Sequence, residues 1–184
     1  MRCNDDSDMK IMSGKASKQF DLAEGAATAF NREKANGNLE RARTLGRKFA
    51  ADLFENDGKA LFGVGAFDDE KTIVQRRVLF AYVVNRVIED MAPNSFVAQS
   101  ALSVFYDTLQ KASEQYYQES TDAAAFSQYI LAARAMSDDP CAIGGVFARL
   151  CGRSTDKVFV KYGCELADFF TLYCTESVLS AQFV

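Results

Sequence analysis

This chain predicts an all-α, single-domain bundle of about seven helices, and three observations carry that prediction. Apolar residues recur at three- and four-residue spacing along nearly the whole length, and strand-type alternation is almost absent. The only two prolines, Pro93 and Pro140, lie between the periodic segments, where they break no helix interior. With 184 residues, 48% hydrophobic and 25% charged, the chain has apolar surface for one sizeable core.

The elements follow in order. A first helix over 16–34 sets Phe20, Ala23, Ala27 and Phe30 on one face and is stopped by Asn36-Gly37; the polar residues before it, 1–15, have no apolar stripe and are expected to be disordered or loosely ordered. Residues 16–184 then form the single helical domain. Asn38 caps a second helix with Leu39, Ala42, Leu45, Phe49 and Leu53 in phase, ended by Asn56-Asp57-Gly58. The apolar, glycine-rich stretch 58–68 reads as a loop folded onto the core. A third helix over 70–91 is apolar all round through its middle, 78–84, which predicts burial by neighbours on every side.

Asn94 or Ser95 caps a fourth helix running to about Gln118, with Ala98, Leu102, Phe105, Leu109, Ala112 and Tyr116 facing inward and Tyr106 and Tyr117 on the opposite face. A fifth spans 122–136, and a short sixth runs from Pro140 to Cys151, where Gly152 stops it. The last, 155–181, is the longest. It carries one stripe of Phe159, Gly163, Leu166, Phe170 and Cys174 and another of Val158, Tyr162, Phe169, Leu172 and Leu179, so it is expected to be largely buried.

Composition then excludes whole classes of chemistry. The chain has no histidine, so catalytic triads, zinc sites that need imidazole and Glu-x-x-His di-iron motifs are closed to it. Five cysteines (Cys3, Cys141, Cys151, Cys164, Cys174) include no C-x-x-C pair and are odd in number, which predicts reduced, mostly buried thiols and no metal site. Cys141 is the candidate reactive thiol, because it falls in the first turn of a helix, although Asp138 and Asp139 oppose that effect. A net charge of −4 argues against nucleic acid as partner. Six Lys or Arg against two Glu over 32–48 read as a solvated face. No apolar run approaches a membrane span, and with a polar N-terminus the expected location is cytoplasmic.

Candidate sites are few. The carboxylate clusters Asp68-Asp69-Glu70 and Asp138-Asp139 stand at helix N-termini, where negative charge caps the helix. Gly63-Val64-Gly65 and Ser13-Gly14-Lys15 lack the rest of any phosphate-binding fingerprint, so no cofactor is expected. Arg77, Tyr82 and Asn85 on the third helix, with Gly144 and Gly145, are the candidate small-ligand pocket; an internal ion pair at Arg77 and a close helix crossing at the glycines are the alternatives. Tyr106, Tyr117, Phe169 and Leu172 are the candidate interface residues. The expected function is a non-catalytic interaction protein that self-associates, as a dimer, or binds another protein. A helical small-ligand sensor is the alternative.

Overall fold

The computed structural model describes residues 13–54, 69–135, 139 and 141–184, excepting the side chains of 13–23. Among these residues the chain is all-α, with eight helices and no strand: α1 (Ser13–Ala35), α2 (Asn38–Phe54), α3 (Glu70–Met91), α4 (Ser95–Ala112), α5 (Glu114–Ser120), α6 (Ala123–Ala135), α7 (Ala142–Leu150) and α8 (Lys157–Ser180). Of the segment 1–15 expected to be loose, residues 13–15 belong to α1 and 1–12 lie outside the described residues, as do the loop 58–68, Cys3, Asp138 and Pro140.

The helix ends have local causes. Asp69 caps α3 by accepting from the Thr72 amide at 3.0 Å, Asn94 caps α4, and the Asp156 carboxylate receives the Val158 and Phe159 amides at the start of α8. Gly37 and Gly152, both at φ 77°, turn the chain after α1 and α7 where a side chain would be strained. The single fourth helix expected from the sequence is two. Ser113 takes an extended conformation, donates its amide to the Leu109 carbonyl to close α4, and accepts from the Tyr116 amide through its hydroxyl to open α5. Serine competes with the helix in this way because its side chain can replace a backbone partner.

The core is built around α3. Twelve of its 22 residues are buried, including every residue from 78 to 84, as the all-round apolar run predicts, and also Arg76 and Arg77, which that run does not contain. Phe80 sits at its centre, edge-on to Phe49 of α2 and Phe170 of α8. Two close helix crossings flank it. A methyl built on Gly46 would stand 3.0 Å from the Phe105 amide nitrogen, so α2 lies directly against the α4 backbone. Gly144 of α7 meets α8 at Gly163 in the same manner, and Phe147 stacks on Phe159 at 5.6 Å beside the crossing. Asn38, fully buried, ties the ends together: it donates to Glu33 at 2.6 Å and accepts the Val184 amide at 3.0 Å, so the segment after α8 returns to the start of α2.

Two expectations are corrected here. The C-terminal helix buries only seven of its 24 residues, because the molecule covers one of its stripes and leaves Val158, Phe169, Leu172 and Leu179 of the other in solvent, while Tyr162 of that stripe packs on Phe147 and Phe159. The cysteines are not all reduced: Cys141, at the start of α7, is disulfide-bonded to Cys164 of α8, with Cα atoms 5.5 Å apart.

Candidate functional site

The α8 helix advances 100° per residue, so its buried residues Phe159, Gly163, Leu166, Phe170, Cys174 and Val178 define one face and everything half a turn away points outward. That outward face is not uniformly polar. Val158 is 67% exposed, Phe169 46%, Leu172 59% and Leu179 63%, and they fall in one stripe down the helix. Between them stand Lys161, Glu165 and Glu176, all exposed, with Lys161 and Glu165 paired at 3.4 Å. From Val158 to Leu179 the stripe runs about 31 Å at 1.5 Å per residue.

Phe169 and Leu172 are therefore placed on the surface, as an interface requires. Tyr106 and Tyr117 are not exposed as expected. They are half-buried and edge-on to each other at 6.3 Å, and the Tyr106 hydroxyl accepts from Asn85. Burial and the nearby Glu89 push the Tyr106 phenol up to about 12, against the opposing hydrogen bond from Asn85.

A cleft of about 610 Å³ runs between α2 and α8, beside the outward stripe and sharing Glu176 with it. Its polar centre is Lys48. The ammonium donates to Asp52 and to the Ser177 hydroxyl, both at 3.2 Å, contacts the Tyr173 hydroxyl, and lies 4.2 Å from the centre of the Tyr173 ring. Tyr173 in turn donates to Asp52 at 2.6 Å. Partial burial works against the ammonium charge, but the Tyr173 hydrogen bond and the Asp52 carboxylate outweigh it and hold Lys48 above its ordinary value. Burial, then the bond to Asp52, pushes the Tyr173 phenol up as well. At neutral pH both groups keep their protons, so this cluster offers a cation and donors and neither an amine nucleophile nor a phenolate base.

The candidate ligand pocket does not assemble as one site. Arg77 is engaged internally: it donates to Glu119 at 2.9 Å and to the Tyr116 hydroxyl at 3.0 Å, and its guanidinium lies 3.9 Å from the centre of the Tyr116 ring. The ion-pair alternative holds there. Tyr82 and Asn85 line a separate cleft of about 430 Å³ between α3 and α6, with Arg86, Glu89, Phe126 and Arg134. Tyr82 stacks on Tyr129 at 5.1 Å, and Asn85 donates to the Ala81 carbonyl at 2.8 Å. Gly144 supports the α7–α8 crossing and walls no cavity, its added methyl meeting backbone atoms of Val160 and Cys164. Gly145, one residue on, faces open space in a third cleft between α6 and α7.

Cys141 is no candidate nucleophile, because its sulfur is bonded to Cys164. The remaining described cysteines, Cys151 and Cys174, are buried and free. Burial pushes the Cys151 thiol up to about 11 and the Cys174 thiol higher still, so neither forms a thiolate near neutrality. One signal for the disulfide was present in the sequence: Gly144 and Gly163 mark where two helices touch, Cys141 stands one turn before the first glycine and Cys164 directly after the second. Among the described residues no three cysteine or carboxylate side chains cluster as a metal site would need, and no helix is long and apolar enough to cross a membrane. No family model, curated protein or solved structure matches the chain.

Proposed function

We propose that this is a non-catalytic interaction protein that self-associates through the outward face of α8. The observation that supports the reading is the stripe of Val158, Phe169, Leu172 and Leu179, directly opposite the face that packs on the core. Apolar residues scattered singly on a surface need no explanation, whereas four large ones aligned along one helix favour a partner that removes them from water. The internal engagement of Arg77 with Glu119 and of Tyr106 with Asn85, and the burial of the two free thiols, support the non-catalytic part. One helix pair buries less than a standard interface, so the dimer is expected to be reversible at micromolar concentration.

The test is light scattering behind size exclusion on the wild type, Phe169→Glu and Leu172→Glu, with circular dichroism as the control for folding. A wild-type dimer and folded, monomeric variants are expected. A wild type that remains monomeric at high concentration would end the proposal. The alternative, a small-ligand sensor, draws on the α3–α6 cleft at Tyr82 and Asn85, and a thermal-shift screen of metabolites tests it, since a ligand of the native state raises the melting temperature. The Cys141–Cys164 bond bears on location: such bonds persist in oxidising compartments and are reduced in most cytosols, which weighs against the cytoplasmic expectation.

A further inference from the structure

We infer that the partner of the α8 face is a second copy of the chain held antiparallel, with a twofold axis crossing the helix between Asp168 and Phe169. This rests on the self-association proposed above and adds to it an orientation and a register. The evidence is a symmetry in the stripe itself. Val158 and Leu179, both exposed, stand at equal distances on either side of that midpoint, and so do Lys161 and Glu176. In an antiparallel pair each residue meets its mirror position at the same height. Val158 then packs on the partner's Leu179 and Lys161 faces the partner's Glu176; Phe169 and Asp168 are mirror positions on opposite flanks of the axis, so Phe169 packs beside its own copy on one flank while the two exposed Asp168 carboxylates stand at the solvent rim of the other.

Charge selects this arrangement over the parallel one. With the helices parallel, Lys161 would face Lys161, Glu165 would face Glu165 and Glu176 would face Glu176. Like charges opposed along a seam select against that pairing. Turned antiparallel, the same side chains form two Lys161–Glu176 pairs per dimer. Glu165 comes to the height of Leu172, where its stem lies along the apolar seam while its carboxylate stays at the rim with Lys161, the partner it already has at 3.4 Å.

Disulfide trapping in a Cys3→Ser background tests the register, with Val158→Cys and Leu179→Cys prepared singly and then mixed. The two positions lie about 31 Å apart along α8. The inference predicts that neither single variant links to itself, that the mixture yields a linked heterodimer, and that Phe169→Cys, at the axis, links to its own copy. Self-linking of Val158→Cys and of Leu179→Cys would show a parallel dimer and overturn the register while leaving self-association intact. A wild type that sediments as a monomer would overturn self-association as well. Charge reversal supplies a second readout: Lys161→Glu weakens the dimer by roughly tenfold, and Lys161→Glu combined with Glu176→Lys restores it. A double variant as weak as the single one would contradict the pairing.

Discussion

Gly144→Ala and Gly145→Ala, one residue apart on α7, are expected to shift stability in opposite directions. Alanine is favoured over glycine inside a helix by about 1 kcal/mol. At Gly145 nothing lies within 4 Å of an added methyl, so that gain is realised in full, and the melting temperature rises by about 2–4 °C for a chain of this size. At Gly144 the methyl would overlap the Val160 carbonyl oxygen, 2.7 Å from the Cys164 amide nitrogen and 3.1 Å from its Cα. These are backbone atoms of α8 and cannot rotate aside. The Cys141–Cys164 bond, one turn away, also prevents α7 from lifting off. Overpacking of this kind costs about 1–3 kcal/mol, which exceeds the helix gain and lowers the melting temperature by several degrees. Differential scanning calorimetry under non-reducing conditions measures both. The Gly144 penalty is also expected to shrink in a Cys141→Ser background, where α7 is free to move. Equal shifts at the two glycines, or a rise at Gly144, would refute the close crossing.

Reducing the Cys141–Cys164 bond should lower stability by about 3 kcal/mol, the loop entropy expected for a sequence separation of 23, seen as a drop in melting temperature on adding dithiothreitol to the wild type but not to Cys141→Ser. Arg77→Met should cost about 3–5 kcal/mol in a urea melt by stranding the Glu119 carboxylate, and Arg77→Met/Glu119→Gln should recover part of it; additive losses would contradict the pairing. Stability should fall as pH rises above about 9: unfolded thiols ionise near 9.0, while folded Cys151 holds its proton to about 11, so the folded state binds more protons across that window. Cys151→Ala should flatten the slope of unfolding free energy against pH there, and an unchanged slope would show that the buried thiol is not its source.

Much of the fold was legible because a helix must cover an apolar face and a residue's phase along it is set by 3.6 residues per turn. The burial of 78–84 in α3 and the caps at Asp69 and Asn94 follow from pattern alone, whereas the burial of Arg76 and Arg77 does not. The break at Ser113 does not, since serine fits both a helix and a cap until its hydroxyl finds an amide. The candidate pocket does not assemble as one site for a tertiary reason. Arg77 and Asn85 sit two turns apart on one helix, but Arg77 reaches Glu119 of α5 whereas Asn85 reaches Tyr106 of α4. In α8 the two apolar stripes were visible in the sequence, but only packing showed which one the molecule covers. The Lys48–Tyr173–Asp52 cluster was missed because residues more than 100 positions apart carry no shared local signal.

Sedimentation velocity of the wild type and Leu172→Glu over a wide concentration range tests self-association through α8 most directly. Leu172 is 59% exposed, and burying the remainder against a partner contributes about 1–2 kcal/mol per copy, counted twice across a twofold axis. The glutamate removes that gain and brings a carboxylate to an apolar seam, so its dissociation constant should rise by at least about a hundredfold, from 2 × 1.4 kcal/mol. A wild type that moves from monomer to dimer with rising concentration, beside a variant that stays monomeric with unchanged helicity, is the expected result. Overlapping monomer profiles for the two proteins at every concentration would contradict it.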